Sequence, residues 1–179
     1  MIYATTIGLI VCLVGTTIVL FAVSELSLNL QQIRELTGFS DNIVPIDLKN
    51  ARGQAPSRFG LPADLDDVPA AAILVLSMKC GTCQSLAQSL ARKGLQRGLR
   101  VLLECNDQAG GAAWLISNGL QCDNETVLLD CDGLICARLG LEISPVAITI
   151  MNGVVDRARS VPSTKYLNDL VPDVYVVRG

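Results

Sequence analysis

The sequence predicts a mixed α/β sheet flanked by helices, preceded by one N-terminal transmembrane helix. Three observations predict it. Residues 1–24 carry no charged side chain. From Pro69 onward, apolar runs of strand length alternate with stretches of helical spacing. Near the end, Asn152-Gly153 joins two further strand-like runs, so parallel crossovers come first and an antiparallel hairpin last.

The first segment reads IGLIVCLVGTTIVLFAV at 7–23. As a helix, 24 residues span roughly 36 Å, enough to cross a hydrocarbon core of about 30 Å. A cleaved signal peptide is the competing reading, but no Lys or Arg precedes the apolar run and FAVSE is a poor cleavage site. The expected organisation is a transmembrane anchor at 1–24, a juxtamembrane helix and tether at 25–61, and an α/β domain at 62–179. Leu26, Leu30 and Ile33 keep helical spacing beyond the anchor. Gly53, Pro56, Gly60 and Pro62 then mark a tether, with a short strand in NIVPIDL at 42–48.

Within the domain, AAAILVLSM at 70–78 is a continuous apolar run, the signature of a strand buried on both faces. CQSLAQSLARKGLQRG places Leu86, Leu90 and Leu95 near one helical face, with Gly94 and Gly98 weakening its end. LRVLLEC is a second buried strand, GGAAWLISNGL a short helix, TVLLD a strand and DGLICARLGL another short helix. PVAITIM and VVDRARSV form the hairpin, and PSTKYLNDLV a closing helix that starts near Pro162 or Ser163.

Composition narrows the chemistry. A net charge of −3 supplies no basic face for nucleic acid. The chain has no histidine, which excludes Ser-His-Asp and Cys-His catalysis and every His-ligated metal site. Of its seven cysteines, Cys12 lies in the apolar segment, leaving Cys80, Cys83, Cys105, Cys122, Cys131 and Cys136. An even number beyond an anchor suits an oxidising compartment.

Cys80-Gly81-Thr82-Cys83 stands where a buried strand gives way to a helix. The first cysteine then sits at the helix N-terminus, where unpaired N–H groups and the helix dipole favour negative charge and so the thiolate, the reactive species. Lys79 adds a favourable charge if its side chain turns toward that sulfur. Cys83, almost one turn further on, reaches Cys80 from a more buried position. The spacing offers an attacking and a resolving thiol on one scaffold.

Sixty-five residues after Cys80 the sequence reads LEISPVAITIMNGVV. With that element the chain resembles the thioredoxin superfamily, and within it the membrane-anchored thioredoxin-like proteins of the TlpA and MauD type. The landmarks, in order, are Cys80-Gly81-Thr82-Cys83, Ser144-Pro145, and the closing hairpin with its helix. The resemblance covers about residues 62–174 and implies a thioredoxin-like domain. It implies that Pro145 is cis and faces the two cysteines, and that the Ser144 backbone pairs with bound substrate. It also implies a thiol–disulfide oxidoreductase acting on a protein disulfide or dithiol, reset by an upstream membrane redox partner, without a dissociable cofactor. The implied setting is a bacterial inner or cell membrane, single-pass, with the domain extracytoplasmic. Arg34 alone pushes the other way by the positive-inside rule, and cysteine content and resemblance outweigh it. MauD-like members act in maturation of a disulfide-containing envelope enzyme, which suggests such a role here. The direction of electron flow stays open.

The chain departs from the family at three places. Met78-Lys79 stands where thioredoxins usually carry Trp before the first cysteine. Leu74 occupies the place of the buried aspartate, with Glu104 as a substitute proton carrier on position alone. Thr82 replaces the usual proline. The first two departures favour a reading of another class, a redox-inactive interaction module in a membrane assembly. A thiol peroxidase is disfavoured, because Cys80 lacks the Pro-X-X-X-Thr-X-X-Cys context.

The other cysteines have plainer readings. Cys105 and Cys136 lie among apolar neighbours, as small buried hydrophobes do. Cys122 and Cys131 flank the TVLLD strand, and a structural disulfide among Cys122, Cys131 and Cys136 is open in connectivity. A zinc site built from Cys80, Cys83, Cys131 and Cys136 fits the loose ligand spacing, but the apolar setting of Cys136 argues against it, and no metal is expected. Asp107, Asp123, Asp130 and Asp132 read as turn and capping residues.

Overall fold

The computed structural model describes residues 15–17, 19, 23, 25, 43–48, 51–121, 123 and 125–170. The chain divides into two units, Met1–Asn42 and Ile43–Gly179. In the first unit the described residues are helical. Most of the expected anchor and all of the juxtamembrane segment from 26 to 42 lie outside the described residues. Among the described residues no helix is long and apolar enough to cross a membrane.

The second unit is built on a six-stranded sheet. The strands are β1 (Pro45–Ile46), β2 (Ala70–Ser77), β3 (Leu99–Cys105), β4 (Val127–Cys131), β5 (Val146–Met151) and β6 (Val154–Ser160). Their spatial order is β1-β6-β5-β2-β3-β4. β2, β3 and β4 pair in parallel, whereas β5 runs antiparallel to both β2 and β6. Among the described residues three α-helices accompany them: α1 (Gly81–Lys93), α2 (Gln108–Ser117) and α3 (Leu134–Leu139). This is the mixed α/β sheet, flanked by helices, that the sequence predicts.

Strand β2 explains why the sheet is central. Alternate residues point to opposite faces, and each face of β2 is apolar. Ala72, Leu74 and Leu76 enter a core shared with Leu86 and Leu90 of α1 and Leu115 of α2. Ala71, Ile73 and Val75 enter a second core with Leu61, Leu65 and Leu139. Burying one leucine from water contributes about 2 kcal/mol, so the strand that carries Cys80 at its end is among the firmest parts of the domain.

Two expectations are corrected. The domain begins near Ile43 rather than at 62. β1 pairs with β6 through Pro45↔Arg159 and Ile46↔Ala158, and Leu48, Ala51 and Leu61 are buried in the second core. The glycines and prolines of 53–62 read as a tether, yet they shape 3₁₀ turns, Pro56–Phe59 and Ala63–Asp66, that fold these apolar residues onto the sheet. The closing element is likewise a 3₁₀ helix, Thr164–Asp169, pinned by the buried Leu167 and Leu170. Between residues 70 and 160 the predicted strands and helices stand where the periodicity places them.

The hairpin turn carries the signature of Asn-Gly. Asn152 has φ 51° and Gly153 φ 71°, as a type I′ turn requires. The turn docks on the start of β2, its two N–H groups donating to the carbonyls of Pro69 and Val68 at 2.9 and 3.0 Å.

Candidate active site at the start of the first long helix

Ser77 ends β2, and after a two-residue turn Cys80 caps α1 with φ −108° and ψ 116°. An N-cap residue is extended, and its side chain accepts from an N–H of the first turn. Here a sulfur takes the role usually held by oxygen: the Cys83 N–H donates to Cys80 Sγ at 3.2 Å. The helix start thus aims an N–H group at the sulfur, and negative charge there meets the positive end of the helix dipole.

The two cysteines differ sharply in environment. Cys80 is half-buried, whereas Cys83 is wholly enclosed with Leu86, Leu74 and Leu76. Burial pushes the Cys83 thiol up to about 12 from an ordinary 9.0, and the adjacent Cys80 sulfur adds to the rise. One thiol is reachable, and the other stays protonated until something draws its proton away.

Ser144 and Pro145 come to the same place. The Ser144–Pro145 peptide is cis, and the Cys80 thiol donates to the Ser144 carbonyl at 3.7 Å. Both residues are half-buried, while Ile143, immediately before them, is 56% exposed.

The supporting residues fall into place unevenly. Gly81 is exposed, with open space where a side chain would start, and Thr82 is half-buried in the first turn. Lys79 is exposed and lines a cavity of about 380 Å³ with Met78, Glu104, Cys105 and Asp132. Leu74 is fully buried, so the position of the thioredoxin aspartate is apolar. Glu104 is exposed at the end of β3 and also borders a second cavity, of about 370 Å³, with Ser144 and Ile143.

Of the remaining cysteines, Cys105 and Cys136 are buried, as expected. Cys131 lies next to Cys105, with 3.7 Å between the sulfurs, and not next to Cys136. Cys131 and Cys136 are both free thiols, and Cys122 lies outside the described residues. Cys136 is held elsewhere, because the buried Asp130 carboxylate accepts from the N–H groups of Ile135 and Cys136, both at 2.9 Å. Burial and that carboxylate push the Cys136 thiol upward. Among the described residues, no group of three or more Cys, Asp or Glu is arranged to hold a metal ion. The Cys105–Cys131 pairing escaped the sequence reading because only the register of β3 against β4 creates it.

Sheet order, the two thiols at the start of α1 and the cis Ser144-Pro145 loop against them agree with the arrangement that the resemblance implies. No family model and no curated protein matches the chain. Among solved structures, it is similar to a secreted Mycobacterium tuberculosis disulfide oxidoreductase homologous to Escherichia coli DsbE. That match has 19% identity, 57% of this chain, 77% of that one and a TM-score of 0.44. The M. tuberculosis DsbF structure matches at 22% identity over 56% of this chain and 80% of that one, with a TM-score of 0.42. The thioredoxin domain of a thiol-disulfide oxidoreductase from Bacteroides vulgatus matches at 12% identity over 74% and 95%, with a TM-score of 0.43.

Proposed function

We propose that the chain is a membrane-anchored thiol–disulfide oxidoreductase acting on protein substrates through Cys80 and Cys83. The observation that carries this reading is the pairing of a reachable, N–H-contacted Cys80 sulfur with an enclosed Cys83 thiol, 3.2 Å from that sulfur to the Cys83 nitrogen.

In the reducing direction the Cys80 thiolate attacks one sulfur of a substrate disulfide. A Cys80–substrate disulfide forms, and the first substrate thiolate leaves and takes up a proton. Cys83 then gives up its proton and attacks the Cys80 sulfur, releasing the second substrate thiol. The substrate gains two electrons and two protons, and the Cys80–Cys83 disulfide remains. The oxidase direction runs these steps backward. Ser144, with Ile143 beside it, supplies the backbone and apolar surface against which the substrate lies.

An upstream dithiol partner in the membrane resets the pair. The uncharged segment 1–24 supports the anchor, and the cysteine content supports an extracytoplasmic domain in a bacterial envelope. A role in maturing a disulfide-containing envelope enzyme, as for MauD-like proteins, is the most specific form of the reading.

Insulin reduction and Cys80 alkylation at neutral pH test it together. The expected result is turnover that Cys80→Ser and Cys83→Ser each abolish, with Cys80 labelled faster than a free cysteine peptide. The apolar Leu74, in place of an acid near Cys83, favours a second reading as a redox-inactive interaction module. Labelling no faster than the peptide, with no reductase or oxidative-refolding activity, would support the module instead.

A further inference from the structure

A second pair of thiols lies one strand beyond the first. Cys105 ends β3 and Cys131 ends β4, and the parallel register sets them opposite one another. Partners on neighbouring strands have backbones about 4.7–4.9 Å apart, inside the ~4.4–6.8 Å separation that a disulfide spans between Cα atoms. Both side chains share the sheet face covered by α2, and their sulfurs are 3.7 Å apart. Nothing in the backbone must move far to join them.

The helix above is shaped to this sulfur. A Cβ on Gly111 of α2 would lie 2.9 Å from Cys105 Sγ, so the bare glycine is what lets the thiol sit there. Accessibility is divided as it is in the first pair. Cys105 is 5% exposed, and burial, reinforced by the neighbouring Cys131 sulfur, pushes its thiol up to about 12. Cys131 is half-buried on the edge strand β4 and opens onto a cavity of about 440 Å³ bounded by Leu61, Gln108 and Ile135.

We propose that Cys105 and Cys131 form a second redox-active thiol pair that exchanges with low-molecular-weight disulfides through the cavity beside Cys131. The Cys131 thiolate attacks the small disulfide, forming a mixed disulfide and expelling one small thiolate, which takes up a proton. Cys105 loses its proton and attacks the Cys131 sulfur, expelling the second. The protein gives up two electrons and two protons and gains a Cys105–Cys131 disulfide, while the small disulfide becomes two thiols. This site stands independently of Cys80 and Cys83.

The test uses the full chain in detergent with Cys80→Ser and Cys83→Ser, so that its outcome does not depend on the first pair. The protein is equilibrated in buffers of reduced and oxidised glutathione over a range of ratios. Remaining thiols are then alkylated and mapped by peptide mass. The expected result is a joint loss of label from Cys105 and Cys131 in a single two-electron transition, with their two peptides joined. Adding Cys105→Ser should leave glutathione stably attached to Cys131. Retention of both labels at the oxidising limit overturns the proposal. So does a persistent glutathione adduct on Cys131 while Cys105 stays free, or a bond from Cys131 to Cys122.

Discussion

The backbone carbonyl of Ser144 meets the thiol of Cys80 at 3.7 Å, across 64 residues of sequence. Two chain segments that share no local periodicity are therefore one site, and the sheet makes them so. β2 delivers Cys80 at its C-terminal end, and its antiparallel neighbour β5 begins just after Ser144 and Pro145, with Val75 opposite Val146. Any account of the chemistry rests on this meeting of strand ends.

Enclosure of Cys83 sets an alkaline limit to stability in the reduced protein. Burial in the fold pushes its thiol up to about 12 from an ordinary 9.0. Below pH 9 both states hold the proton, so the contribution is fully present. Above it the unfolded chain ionises first, and stability falls until the folded thiol also ionises near 12. The loss is at most about 1.4 kcal/mol per pH unit for each such thiol. Urea denaturation in reductant between pH 8 and 11 should show a shallower decline for Cys83→Ala than for the parent. Equal slopes would mean that enclosure does not raise the Cys83 thiol above its unfolded value.

The Asp130 carboxylate is a buried N-terminal anchor for a short helix. It is 2% exposed and accepts from two N–H groups at the start of α3. Asp130→Ala leaves both donors without a partner in a buried place, which costs about 2–3 kcal/mol. Urea midpoints should fall accordingly, and hydrogen exchange at the Ile135 and Cys136 amides should quicken.

Gly153 and Gly53 separate two causes of glycine dependence. Each has positive φ, but a Cβ on Gly153 would meet the Asp66 carbonyl oxygen at 1.8 Å, while one on Gly53 meets nothing within 4 Å. Gly53→Ala should cost the conformational penalty alone, about 1–2 kcal/mol. Gly153→Ala must also displace backbone and should cost more than about 3 kcal/mol. Thermal melting of the two variants checks the difference.

Much of this was legible in the sequence because it is written in local chemistry. The strand before Cys80, the helix after it and the Asn152-Gly153 turn each follow from a few adjacent residues. The meeting of Ser144 with Cys80 came from resemblance, since spacing alone does not bring distant residues together. What stayed hidden depends on register or on weak local signals. The short strand expected in NIVPIDL is β1, but only its register against β6 places it in the sheet. Residues 53–61 looked like a tether because glycine and proline outweigh Leu48, Ala51 and Leu61, which are buried only once folded. The neighbours of Cys131 followed the same rule. The sequence leaves a bond among Cys122, Cys131 and Cys136 open in connectivity, and the parallel ladder sets Cys105 beside Cys131.

The most direct test of the central claim traps the exchange at its midpoint. Cys83→Ser chain, reduced and then mixed with a disulfide-bonded protein substrate, should accumulate a covalent adduct on Cys80. The adduct should be released by dithiothreitol and be absent when Cys80→Ser is added. No adduct, or one carried equally well without Cys80, would contradict the account.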